Sequence, residues 1–263
     1  MVAVDFLASL GSDSARFADV LEGVDPTSPV PCCPDWEAID LLWHLTDVQW
    51  FWGTIVDEVL TDPEDAERRK PERPDSHGAT LELFRRASDR LQQALSSTAP
   101  DTPMWTWHDS DKSAGFIRRR QAHEALIHRV DAEQTAGLVS AVDSALAVDG
   151  VDEILTVMIA GIPSWASFEP DGVSVRIEAT DSDRHWGLAF GRMQGTSPFS
   201  GTTYDLEAAT LGLDAPAAQT TIEGRSEDVD LWLWGRADLD RLSVAGDSAL
   251  ADRLREMAAQ STQ

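Results

Sequence analysis

Lysine is nearly absent and cysteine is scarce. The 263 residues hold two lysines, Lys70 and Lys112, and two cysteines, Cys32 and Cys33, which are neighbours in the chain. Adjacent thiols cannot cross-link distant parts of a fold, so a disulfide scaffold is excluded and a reducing compartment is expected. Positive charge is short as well: 21 Lys and Arg stand against 46 Asp and Glu, a formal charge of −25. Such a chain repels phosphate backbones and anionic headgroups, which argues against nucleic acid and membrane surfaces as partners. Long apolar runs are missing too. The longest charge-free apolar stretch, Ile154 to Phe168, is too short for a bilayer and contains Gly161 and Pro163. The opening MVAVDFLASLGSD lacks a basic segment and carries Asp5 inside its apolar stretch, so it reads as an amphipathic helix rather than a secretory leader. A cytoplasmic protein, monomeric or a weak homodimer, is the expectation.

What remains is ordinary globular composition, 42% hydrophobic and 25% charged. The length suits one large or two modest domains, at roughly 100–200 residues each. The first 160 or so residues read as helices. Residues 37–60 place Leu41, Leu45, Val48, Trp52, Ile55 and Val59 at alternating steps of four and three, with Pro34 and Asp35 ahead of them and Asp35 as the expected N-cap. A second run follows Thr80 through Leu81, Phe84, Leu91 and Leu95, and a third spans about Phe116 to Thr135, where Gly137 stops it. A fourth runs from about Ala145 to Ala160. With the opening helix these suggest an antiparallel bundle, its charged, proline-rich stretch after Leu60 forming a crossover loop.

The period then changes from helix to strand. VSVRIEAT (173–180) alternates Val173, Val175, Ile177 and Ala179, HWGLAF (185–190) repeats the alternation after the turn signal DSDR, and AAQTTIEG (217–224) is a third expected strand. Two helices close the chain, residues 226–236 with Ser226 as N-cap, and 247–260. The expected class is α+β, with a helical domain over 1–142 and a small sheet-and-helix domain over 143–263.

Among six histidines, two lie in RRRQAHEALIHRVDAE (118–133). His123 and Glu124 begin a zincin-like H-E-x-x-H, but the position four after His123 is Ile127, so that motif fails. The usable pair is Glu124 and His128, whose i, i+4 spacing puts a carboxylate and an imidazole one turn apart on one face; a helical ion pair has the same spacing. Asp131 continues that face and can hold the imidazole in one tautomer. His44 falls within the stripe of Leu41, Val48 and Ile55, and a histidine turned to a core needs a partner: a neighbouring helix or a metal. Taken together, His44, Glu124 and His128 make a three-ligand site the simplest account, with a fourth position open as in catalytic zinc. His77, His108 and His185 have loop or surface settings.

Arg236, at the end of LWLWGR, suits a helix C-terminus, and a guanidinium there can also clamp a substrate carboxylate. Ten tryptophans are mainly packing, with a few available to wall a pocket above the metal. Cys32 and Cys33, flanked by prolines, read as buried or loop thiols.

VPCCPDWEAIDLLWHLTDVQWFW (30–52) resembles the C-P-x-W…D-L…H-L signature of the mycothiol-dependent maleylpyruvate isomerase family, within the DinB-like metalloproteins. Residues 118–133 resemble its E-x-x-x-H-R-x-D-A helix, and 228–254 its C-terminal domain. The resemblance spans the chain in order. It implies a DinB-like four-helix bundle followed by a sterol-carrier-like α/β domain. It also implies a divalent metal, typically zinc, at His44, Glu124 and His128, mycothiol as thiol cofactor or cosubstrate, and catalytic parts for His44 and for Arg236 on an acidic substrate. Isomerase and S-transferase chemistry both fit; a metal-stabilised small-molecule binder without catalysis, and a hydrolase using water in place of thiol, are the alternatives.

Overall fold

The computed structural model describes residues 4–212 and 218–262, and its chain divides into two compact units, one ending at Ala141 and the other beginning at Val142. In the first, α1 (Phe6–Glu22) is followed by the strands β1 (Pro29–Val30) and β2 (Cys33–Glu37), then α2 (Ala38–Asp57), short α3 (Pro63–Glu67), α4 (His77–Ser97) and α5 (Ala114–Thr135). Helix α2 lies along α4 and α1 along α5, with further contacts of α1 on α4 and α2 on α5. The apolar stripes meet in a core where Phe17, Leu21, Leu41, Leu42 and Leu45 are fully buried. Each such side chain contributes about 1.5–3 kcal/mol by leaving water. Phe17 and Phe84 touch with ring centroids 5.0 Å apart.

Helix α2 starts and stops differently from the sequence expectation. Asp35 is not the N-cap: it lies in β2, which pairs antiparallel with β1 and keeps the chain extended up to Glu37. Glu37 caps instead, its N–H donating to Asp40 Oδ2 at 3.0 Å. At the other end the helix closes at Asp57. Val59 turns to φ +52° and is 47% exposed, while the Leu60 N–H returns to the Ile55 carbonyl at 2.9 Å. Val59 therefore falls outside the buried stripe. It occupies the left-handed position that usually goes to glycine. Helix α5 ends as expected, with Gly137 at φ +67° and the Leu138 N–H on the Glu133 carbonyl. Its start is set by Ser113, whose Oγ accepts from the Phe116 N–H.

The second unit opens with α6 (Ser144–Glu153), which widens into a π-helical turn over Ile154–Ile159. The helical pattern sets this run beside the bundle helices, while the boundary drawn at 142/143 puts it in the second domain; it lies in the second unit and packs on α7 (Ser226–Leu233). Gly150 permits that approach, since a Cβ there would sit 2.6 Å from Asp230 Oδ2. The sheet has five strands among the described residues: β3 (Ala166–Ala179), β4 (His185–Thr196), β5 (Thr203–Leu211), β6 (Thr220–Gly224) and β7 (Ser243–Gly246), in the order β5-β4-β3-β6-β7. Only β3 and β6 run parallel; the other neighbours are antiparallel. Strands β5 and β7 were not anticipated. Ala217, placed in the expected third strand, lies outside the described residues, and that strand begins at Thr220. Ser226 is the first helical residue of α7 rather than its cap. Asp181 takes the capping part from outside the helix, accepting from the Ser226 N–H at 2.9 Å and its Oγ at 3.1 Å. Helix α8 (Ser248–Ser261) ends the fold. No helix among the described residues is long and apolar enough to cross a membrane.

Candidate metal centre

Helices α2 and α5 pack together, and their contact brings His44 to Glu124 and His128. Glu124 Oε1 lies 3.2 Å from His128 Nε2 and 3.5 Å from His44 Nε2, and one ligating atom from each of the three residues lies within 4.8 Å of the other two. The two imidazoles meet edge to face at 4.8 Å. His128 Nδ1 sits 2.9 Å from Oδ2 of the fully buried Asp131, which fixes the proton on Nδ1 and turns Nε2 toward Glu124. The other carboxylate oxygen of Glu124 accepts from Arg120 Nη2 at 2.9 Å, and Arg120 is itself buried. Thus Arg120, Glu124, His128 and Asp131 occupy one face of α5 at steps of four, four and three. His44 is less buried than its place in the stripe implies: 36% of its side chain reaches solvent. Trp36, from β2, packs on the His44 ring at 4.9 Å.

The electrostatics of the cluster follow from these contacts. Burial pushes the Glu124 carboxyl up, but the hydrogen bond from His128, the close approach of His44 and the Arg120 charge outweigh it and hold the group well below the usual carboxylate range. Burial likewise disfavours charge on His128, yet Asp131 and Glu124 reverse this and raise its pKa to about 9. The cluster therefore calls for positive charge between the His128 and Glu124 side chains. With Nδ1–H committed to Asp131, a neutral His128 would aim a lone pair at a carboxylate oxygen. A proton on Nε2 resolves that conflict, and so does a cation. The two spacings to Glu124 Oε1, 3.2 and 3.5 Å, are close to the about 3.3–3.6 Å between two ligands each 2.0–2.2 Å from a tetrahedral zinc ion. The 3.5 Å approach of His44 is long for a hydrogen bond but fits a shared ligand sphere. Two imidazole nitrogens and one carboxylate oxygen are a fitting donor set for a divalent transition metal.

The other residues singled out in the sequence lie elsewhere. Arg236 belongs to the second unit, after α7, where its Nη1 donates to the Trp234 carbonyl at 2.6 Å, a helix-end role. His123 is buried on another face of α5, edge-on to Phe6 at 6.0 Å. His77 is the first residue of α4 rather than a loop residue, His108 stacks on Phe116 at 5.1 Å, and His185 opens β4. Cys32 Sγ is 2.8 Å from Gln134 Oε1, and Cys33 packs against the helical core. Arg120 escaped the sequence reading. Its signal was the same four-residue step that joins Glu124 to His128, continued one turn backwards.

An α+β chain in two units, carrying a His–Glu–His cluster with a buried second carboxylate, is the kind of protein these features define. Sequence-family profiles make the assignment specific. The mycothiol maleylpyruvate isomerase N-terminal domain matches residues 7–133, and the C-terminal domain of the same family matches residues 145–253. This chain belongs to the mycothiol-dependent maleylpyruvate isomerase family, a family of enzymes. Among solved structures, a mycothiol-dependent maleylpyruvate isomerase and a histidine-to-alanine variant of it share the fold; each is 15% identical, with a TM-score of 0.57 over 92% of both chains. No curated protein matches.

Proposed function

We propose that this protein is a metal-dependent isomerase or S-transferase that uses a low-molecular-weight thiol, mycothiol by family, on a small electrophilic substrate. The observation that carries the reading is the convergence of His44, Glu124 and His128, each offering one ligating atom within 4.8 Å of the others. In this reading the helical unit is a DinB-like four-helix bundle and the second unit a sterol-carrier-like domain. His44, Glu124 and His128 hold a divalent metal, zinc by donor type. That metal supplies one thing: it keeps a thiol sulfur ionised near neutral pH.

The protein's own groups do the rest. Asp131 keeps the proton of His128 on Nδ1, so that Nε2 presents its lone pair. Glu124 offers one oxygen inward while the other stays with Arg120. The partial exposure of His44 leaves the cluster reachable from solvent. For an isomerase, a thiolate adding to one carbon of a cis double bond leaves a single bond free to rotate, and its expulsion restores the double bond in the trans form. In a transferase the carbon–sulfur bond is kept. Arg236 is assigned the binding of a substrate carboxylate or enolate oxygen, the use for which a guanidinium fork is suited.

The test is metal content together with thiol dependence. Purified protein is expected to carry about one equivalent of a divalent metal. Glu124→Ala should lose it, and turnover of a cis-unsaturated keto acid should require added mycothiol. Arg236→Lys should raise KM for a carboxylated substrate and leave metal content unchanged. Metal retained in both His44→Ala and Glu124→Ala would overturn the site assignment. Turnover without thiol would point to a hydrolase, and a metal that affects only melting temperature to a binding protein.

A further inference from the structure

We infer that Arg120 is a positioning residue that sets the charge of this centre, so that the open position prefers an anionic sulfur to a neutral ligand. The inference deepens the metal-and-thiol reading above and rests on it. Its ground is a buried guanidinium, 4% exposed, whose Nη2 donates to Glu124 Oε2 at 2.9 Å while Glu124 Oε1 faces the two imidazoles. Two consequences follow from that geometry.

The first is mode of binding. A carboxylate with one oxygen committed to a buried guanidinium offers only the other to a metal, so Glu124 acts as a one-oxygen ligand and a coordination site stays open. The second is charge. Glu124 and Asp131 bring two negative charges to the His44–Glu124–His128 cluster, Arg120 brings one positive charge, and the imidazoles are neutral when they ligate. With a divalent metal bound, Arg120 makes the centre one unit more positive than it would be without it, a difference that favours an anionic fourth ligand. Removing Arg120 takes one positive charge from beside a half-buried centre, so the same thiolate would be held against one unit more negative charge. Arg120 thus favours sulfur anions over neutral water and amines as fourth ligands by strengthening the anion and leaving neutral ligands unaffected. A lysine keeps the charge but lacks the planar fork.

The experiment uses protein loaded with Co2+, whose visible spectrum reports fourth ligands, titrated with 2-mercaptoethanol as the anionic ligand and imidazole as the neutral one. Metal affinity is measured in parallel by competition with a chelator. Arg120→Gln removes both an outer partner of Glu124 and a positive charge, which act on Co2+ affinity in opposite directions, so the chelator titration serves to ensure that every variant is compared fully loaded. Once loaded, Arg120→Gln is expected to lose at least tenfold in thiolate affinity while keeping its imidazole affinity. Arg120→Lys should recover most of the thiolate preference. Equal losses for thiolate and imidazole, with no rescue by lysine, would mean a merely structural residue and overturn the inference. So would an Arg120→Gln variant indistinguishable from wild type in both titrations; that result leaves the metal-and-thiol reading intact. Wild-type protein that takes up no Co2+ would overturn both.

Discussion

On the proposed reading, metal uptake at this cluster would exchange a cation for a proton, and the exchange would fix how affinity depends on pH. In the metal-free protein His128 donates Nδ1–H to Asp131 and Nε2–H to Glu124, and these two acceptors raise its pKa to about 9. A metal takes the Nε2 lone pair, so that proton must leave. Below pH 9 the apparent affinity should then fall about tenfold per pH unit, or roughly a hundredfold between pH 9 and pH 7, close to 3 kcal/mol. Folding stability carries the same signature with opposite sign in the two forms. The folded pKa of His128 lies above its unfolded value, so its ion pairs stabilise the metal-free protein fully below about pH 6.5. That contribution disappears as pH rises through about 9, while stabilisation by bound metal grows over the same window. The assay is calorimetric titration with Zn2+ at pH 7 in two buffers of different ionisation enthalpy, followed by thermal melts with and without metal from pH 6 to 9. About one proton should be released from His128 per ion bound. Zero released protons, or an affinity flat across pH 6–8, would refute the reasoning.

Two further perturbations follow from named contacts. Asp131→Asn removes the charge that fixes the His128 tautomer and is expected to cost about 10–100-fold in metal affinity, read by chelator competition, with the circular dichroism spectrum unchanged. Val59→Gly should stabilise the fold by about 1 kcal/mol in urea denaturation, because a β-branched residue at φ +52° loses its strain and, being 47% exposed, gives up little packing. A destabilised Val59→Gly would mean that the α2 end is held by side-chain contact rather than by the returning Leu60 hydrogen bond.

The helices were legible because apolar stripes at a period of 3.6 survive in a bundle: Leu41, Leu45 and Ile55 are as buried as their spacing demands. Helix ends were less so. Asp35 looks like a cap, but pairing of β2 with β1 holds it extended, a long-range fact that local sequence does not carry. Strand β5 hid because its inner half carries adjacent buried residues, Ala208 and Ala209, instead of alternation, and β7 is a four-residue edge strand. At the site, Glu124 and His128 could be paired from one turn of helix, and His44 could be brought to them only by supposing that α2 and α5 pack. Arg120 stayed hidden in a run of three arginines that reads as a solvated face. Burial separates its role from that of Arg118, which reaches instead to the Leu95 carbonyl at the end of α4. Charge runs lose their individuality in sequence because exposure, not residue type, decides which member matters.

The central claim is tested most directly by anomalous X-ray diffraction at the zinc edge from crystals of the purified, unsupplemented protein. The account predicts one peak between α2 and α5, about 2.0–2.2 Å from each of His44 Nε2, Glu124 Oε1 and His128 Nε2. Zinc bound at other side chains, or a zinc-replete crystal whose His128 Nε2 still hydrogen-bonds Glu124 with no peak between them, would contradict it.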